Sequence, residues 1–283
     1  MKKIKIICDS CSSITKEEAI KLNVDVIPVM FEIAGKEYNP MLDDVMDYEE
    51  FYSRLENKEF CKTSCINPST FINRLTPYLE EGYDILFIPL SSGLTSSFNN
   101  FYTAKSILAD DFDNKMEAID PRSGSLGNMF TILEACKMRD EGMGFDEIYN
   151  ALHPNKLGVV SLFTIGSLDH LRRGGRLSKI SAILGTLLHI NPIIKANEEG
   201  KLEVDKKHRG RKRAINDLLT RTIENAKQGS HIFIGHTNCK DEALQMKETI
   251  ESMSDFKVSV GYIDHTMGSH CGPKTIAVFY IQK

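Results

Sequence analysis

The sequence predicts an α/β fold: an N-terminal, mainly parallel sheet with helices on both faces, then a second α/β unit with a mixed sheet. Three observations carry that expectation. Short apolar runs alternate with segments of helical spacing, the pattern of strands buried under crossover helices. Helix starts are marked by capping residues, as in Thr15-Lys16-Glu17-Glu18 and in Asn67 followed by Pro68. Late in the chain, "NPIIKA" and "KLEVDKK" flank Gly200 as the arms of an antiparallel hairpin would, which mixes the second sheet.

In chain order, residues 5–8 are a short apolar strand, and the box at Thr15 opens a helix to about residue 22. "VDVIPVMFEI" reads as one strand interrupted by Pro28, which lacks an N–H for the ladder and so belongs near a sheet edge. Asp47 to Glu50 starts a helix with Phe51 and Leu55 on one face, and Asn67 caps a helix to about residue 81. The strand "YDILFIPL", a helix after Thr95, the strand "KMEAID" and a long helix beyond Gly127 complete the first unit. "LHPNKLG" interrupts the pattern, so the domains are placed at 1–154 and 155–283. The second opens with "GVVSLFTI" and the short helix "LDHLRRGG", closed by glycines. A small-residue helix, "SAILGTLL", precedes the hairpin. Then come a helix to about residue 228, the strand "SHIFIGH", a helix over Lys240–Met253, and the strands "KVSVGYI" and "TIAVFYI".

Composition removes several function classes. At 283 residues, 41% hydrophobic and 26% charged, the chain is that of a globular protein. A net charge of −4 gives no general attraction to nucleic acid or to an anionic membrane. No run approaches the roughly 18 apolar residues of a membrane span, and "MKKIKIICDS" reads as a first strand rather than a signal peptide. Seven cysteines, an odd number, fit a reducing cytoplasm, where the protein is expected. The pairs Cys8/Cys11 and Cys61/Cys65 could suggest metal or redox chemistry, but no helix follows Cys11 at once and no second CxxC completes a zinc knuckle. They read as small packing residues, and no metal is expected.

Ligands of parallel α/β sheets gather beyond the carboxyl ends of strands. Three polar loops fall there: Asp9-Ser10, Thr63-Ser64, and "SSGLTSS" from Ser91 to Ser97. The last opens a helix whose free N–H groups favour an anion; Gly93 permits a close turn, and Thr95, Ser96 and Ser97 offer hydroxyls. Without a P-loop lysine, no nucleotide is indicated. His270 lies in a glycine-flanked stretch, "GSHCGPK", read as a loop. Arginines cluster in "LDHLRRGGRLSK" and "VDKKHRGRKR"; lacking interleaved aromatics, they suit an acidic protein partner better than nucleic acid.

Taken together, "CDSCSS", "KTSCINPSTF", "LSSGLTSSFNN", "IDPRSGSLG", "LRRGGRLSK" and "GSHCGPK" resemble, in order and spacing, the signature blocks of the DegV family of bacterial fatty-acid-binding proteins. The resemblance covers nearly the whole chain. It implies an N-terminal parallel α/β domain and a C-terminal α/β domain, with a long-chain acid such as palmitate in an apolar tunnel. Thr63 and Thr95 would hold the carboxylate, His270 would lie beside it, and Ser64, Ser92, Gly93 and Ser96 are further head-group candidates. Arg176 and Arg209 match residues implicated in meeting a fatty acid kinase catalytic subunit. The chain departs from the family pattern at Cys8, Cys11, Cys65, Ile66, Ser96 and Pro121.

The chemistry of such a site is simple. Hydroxyls and helix N–H groups replace the water lost by a carboxylate, while each buried methylene contributes about 0.8 kcal/mol. Affinity therefore resides in the tail, and orientation in the two threonines. Apolar wall material is present in "VIPVMF", "MFTIL", "LFTIGSL" and "ISAILGTLLHI". The expected protein is a carrier for lipid transport or fatty acid metabolism, not an enzyme, with a fatty acid as ligand and no cofactor. The alternatives are a threonine-type acyl hydrolase with His270 as base, which lacks a G-x-S-x-G elbow, and a nucleic-acid module on "KKHRGRKR".

Overall fold

The computed structural model describes residues 3–176 and 190–283. From the N-terminus, β1 (Ile4–Asp9) leads through α1 (Lys16–Lys21) into β2 (Val24–Ile27). A hairpin of β3 (Phe31–Ile33) and β4 (Lys36–Tyr38) follows, then α2 (Tyr48–Glu56) and β5 (Cys61–Thr63). The first half closes with α3 (Pro68–Glu80), β6 (Asp84–Ile88), α4 (Ser97–Leu108), β7 (Met116–Ala118), α5 (Asn128–Asp140) and α6 (Phe145–Leu152).

The parallel sheet has the order β2-β1-β6-β7. Its two faces explain its unbroken apolar strands. Ile6, Cys8, Leu86 and Ile88 pack with Ile132 and Ile148 of α5 and α6; the alternate residues Ile7, Ile85 and Phe87 pack with Phe71, Leu75 and Phe101 of α3 and α4. With both faces covered, the strand centres carry apolar side chains on either side.

The segment "VDVIPVMFEI" is two strands in two sheets. β2 ends at Ile27 on the edge of the parallel sheet, and β3 starts at Phe31 in a separate antiparallel sheet of order β4-β3-β5. Pro28 supplies no N–H to continue the ladder, and the next amide, Val29 N, donates instead to Ser10 Oγ at 2.9 Å. β4, β5 and α6 lay outside the sequence expectations. The first two are three residues each, too short for a visible alternation. Ala34 and Gly35, with φ of 52° and 77°, make the two-residue turn that joins β3 to β4.

The second half contains β8 (Val159–Thr164), α7 (Asp169–Arg173), β9 (Ile190–Ala196), β10 (Leu202–Arg209) and α8 (Arg211–Asn225). β11 (His231–His236), α9 (Lys240–Met253), β12 (Lys257–Tyr262), α10 (His265–Cys271) and β13 (Ile276–Ile281) follow. The sheet order is β10-β9-β8-β13-β11-β12, antiparallel except for the β11–β12 pair. The hairpin turns at Gly200, where φ is +71°. The expected helix "SAILGTLL" lies outside the described residues.

One face of this sheet packs Ile232, Ile276 and Val278 against Leu218 of α8 and Met246 of α9. The other face, with Phe163, Ala277 and Phe279, packs Phe130 of α5, Leu171 and Ile263. The halves are therefore joined through a shared apolar layer. Among the described residues, no helix is long and apolar enough to cross a membrane.

Candidate functional site

The serine-rich junction after β6 divides its labour. Ser91 Oγ donates to Gly200 O at 2.8 Å, and a Cβ on Gly93 would stand 2.6 Å from Glu199 O. This half of the loop docks the β9–β10 turn, and Gly93 is small because another backbone lies against it. Ser92 Oγ donates to Asp120 Oδ2 at 2.6 Å. Thr95, rather than Ser96, satisfies the start of α4: its Oγ1 accepts from Ser97 N at 3.1 Å and donates to Ser97 Oγ at 3.0 Å. Ser97 Oγ in turn accepts from Ile66 N at 3.0 Å, tying the junction to the segment after Thr63.

Thr63 ends β5, held in register opposite Phe31. Its Oγ1 lies 2.9 Å from His270 Nε2. His270 sits on α10, not in a loop as the sequence suggested. Asp264 caps that helix by accepting Met267 N at 3.0 Å, a signal obscured by the glycines around it. The helix is anchored to the first half of the chain. His265 Nε2 donates to Met46 O at 2.7 Å, Thr266 Oγ1 to Val29 O at 3.1 Å, and Tyr52 Oη to Ile263 O at 2.5 Å. The His265 ring is stacked between Phe31 and Tyr48, with centroids 4.9 and 4.4 Å away. Gly174 is required by the imidazole itself, because a Cβ there would lie 2.0 Å from His270 Nδ1.

Around these groups opens a narrow cavity of about 40 Å³. Thr63, Ser64, Thr95, Arg176, His270 and Asp9 give it a polar wall. It shares Leu94, Leu202, Met267 and Cys271 as wall with a second, adjoining cavity of about 40 Å³. The second is lined by Phe163, Ile263, Ala277 and Phe279, with Ser123, Ser125, Ser161 and Thr275 among them. Those hydroxyls are spent on the protein. Ser123 and Ser161 bond each other at 2.8 Å, Ser125 bonds Ser13 at 2.8 Å, and Thr275 donates to Cys271 and Gly272 carbonyls. The arm is apolar although its sequence is not.

The electrostatics of the polar wall follow from burial. Desolvation, helped by the charge of Arg176, pushes His270 down to about 4, so it is neutral at physiological pH. A neutral imidazole with its proton on Nε2 donates to Thr63 Oγ1 and leaves the Thr63 hydroxyl proton for a ligand. Thr95 can donate to a ligand only by releasing Ser97. Arg176 bonds the Leu94 and Gly174 carbonyls and brings a cationic charge to the cavity wall; among the described residues it has no acidic partner.

The structure thus brings together Thr63, Ser64, Thr95, His270 and Arg176. It leaves Ser92, Gly93 and Ser96 outside the cavity wall, for the docking and capping reasons above. Arg209 ends β10, exposed and outside the wall. Sequence reading placed Asp9 in a ligand-facing loop without giving it a site role, and did not single out Met267 and Leu202 as wall residues. Asp9 at the end of an apolar strand was the available signal; the other two had none. Among the described residues, no cluster of three or more His, Cys, Asp or Glu could hold a metal ion.

Fold and site define an α/β protein with a polar-mouthed apolar cavity between two sheets. The chain belongs to the DegV family: the model of that family, described as uncharacterised proteins, matches residues 3–283. A DegV domain-containing protein of Clostridium perfringens is 32% identical, the match covering 99% of this chain and 98% of the relative. Two solved structures are similar at 25% identity. DegV from Bacillus subtilis, described as a fatty acid binding protein, superposes with a TM-score of 0.86 over 100% of both chains. A stearic acid-binding protein from Eubacterium ventriosum superposes with a TM-score of 0.85 over 98% of each.

Proposed function

We propose that this chain is a non-catalytic cytoplasmic carrier of a long-chain fatty acid such as palmitate. The observation that carries the reading is the joined pair of cavities: one end offers Thr63, Thr95, His270 and Arg176, and the other offers only hydrocarbon. Residues 1–154 supply the hydroxyls, and residues 155–283 supply His270, Arg176 and most of the apolar arm. The carboxylate accepts from the Thr63 and Thr95 hydroxyls with Arg176 as counter-ion, and the tail lies along Leu94, Met267 and Phe279. A fatty acid kinase catalytic subunit would meet the carboxylate end, with Arg209 on its docking face. The fatty acids bound by the two solved relatives support the ligand class.

Purified protein, denatured and extracted into organic solvent, is expected to release a long-chain fatty acid detectable by mass spectrometry. Thr63→Val with Thr95→Val is expected to weaken acid binding; wild-type affinity in that double variant would remove the proposed head-group roles.

The 2.9 Å contact between Thr63 Oγ1 and His270 Nε2 is also that of a nucleophile and its base. An acyl hydrolase reading built on it meets an imidazole held down at about 4, a weak base at neutral pH. Hydrolysis of an activated acyl ester, lost in His270→Ala, would establish it.

A further inference from the structure

The cavity wall contains a charged group that the carrier role leaves unused. Asp9, at the end of β1, lines the same cavity as Thr63, Thr95, Arg176 and His270, and is 1% exposed. Its carboxyl is held by two backbone amides: Oδ1 accepts from Cys11 N at 3.1 Å and Oδ2 from Leu90 N at 2.8 Å. The charge acting on it is that of Asp264, the cap of α10; the neutral His270, the Arg176 guanidinium and the thiols of Cys11 and Cys271 share its cavity wall, and the Cys8 thiol lies one residue before it. Only Arg176 among these is positively charged. An incoming carboxylate would add a third acid near the buried Asp9 and Asp264, with the exposed Arg176 as the cation of the wall. Asp264 accepts the Ser13 hydroxyl at 2.9 Å and Met267 N and does not line the cavity, so the acid that meets the ligand is Asp9.

We propose that Asp9 is the proton-coupled partner of the bound acid: as a fatty acid carboxylate enters, Asp9 takes up a proton from solution. The inference rests on the carrier reading above. Protonated Asp9 keeps acceptor lone pairs for both backbone amides and gains an O–H that can donate to the ligand carboxylate. Burial, reinforced by the charge of Asp264 and opposed by the two amides, already pushes Asp9 up to about 7 in the free protein. A small added negative potential is then enough to protonate it near neutrality.

Calorimetric titration of the full chain, first stripped of its co-purified acid, with laurate at about pH 8, in buffers of different ionisation heat, reads the proton directly. About one proton taken up per laurate is expected for the wild type, and close to none for Asp9→Asn. Carbon-13 carboxyl NMR on the wild type, with and without laurate, tracks the Asp9 titration and serves if the variant folds poorly. Laurate binding with no proton uptake, or with uptake unchanged in Asp9→Asn, overturns the inference and leaves the carrier reading standing. No laurate binding at all overturns both.

Discussion

The two ends of the joined cavity are built from similar residue types and behave oppositely. At the polar end, Thr63 and Arg176 retain hydrogen-bonding capacity or charge that protein groups only partly use, and Thr95 becomes a donor on releasing Ser97. At the other end, Ser123, Ser125, Ser161 and Thr275 are satisfied by one another, by Ser13 or by carbonyls, so hydrocarbon alone is presented. A hydroxyl's role is therefore set by whether a partner has already claimed it. That contrast separates affinity, which the arm supplies, from orientation, which the mouth supplies.

The largest test strikes the arm. Ala277→Phe fills space beside Phe163 and Phe279, and displacing about four methylenes of the ligand should weaken palmitate binding roughly a hundredfold. Competition with a fluorescent fatty acid would measure it, and unchanged affinity would place the tail elsewhere. At the mouth, Thr63→Val removes one charge-assisted bond, so acid binding should fall by about ten- to a hundredfold. The matching fatty alcohol should lose far less; an equal loss for both ligands would mean the valine disturbed packing rather than recognition.

Arg176→Ala and Arg209→Ala sharpen the comparison further. Only the first residue lines the cavity, so only its variant should weaken the acid, by about tenfold or less. Equal behaviour of the two would return Arg176 to a purely docking role.

A fourth expectation concerns pH. Asp9, pushed up to about 7 from the ordinary 3.8, binds its proton more tightly folded than unfolded. Its contribution to stability is thus fully present below about pH 3.8 and is lost as pH rises through about 7. Relative to wild type, Asp9→Asn should gain stability across that window in urea titrations; a flat difference would contradict the shift. The smallest effect is assigned to Ser123→Ala with Ser161→Ala. Removing both partners of one buried bond should alter stability and palmitate affinity by less than about 1 kcal/mol.

Much of this architecture was legible in the residues. Asp47, Asn67 and the box at Thr15 announced their helices, since capping is local chemistry. The alternation of strands with helices announced a parallel sheet covered on both faces. The break at Pro28 was visible, but the change of sheet was not, because a missing N–H says where a ladder stops and not where the chain goes next. The helix under His270 was hidden by Gly268, whose packing against Tyr52, 211 residues from the Ile263 carbonyl its hydroxyl bonds, is invisible locally.

By itself the sequence determined the α/β alternation, the caps, the hairpin at Gly200 and a set of hydroxyls and cations able to receive an acid. Those follow from periodicity and from bonds reaching only a few residues along the chain. Tertiary structure alone decided which hydroxyls remain available, that Gly93 serves a neighbouring turn, that Thr63 meets His270, and that Asp9 shares their cavity. Such outcomes depend on contacts between segments up to some 260 residues apart in sequence, and hydrogen-bond satisfaction and desolvation are properties of the assembled surroundings rather than of residue type.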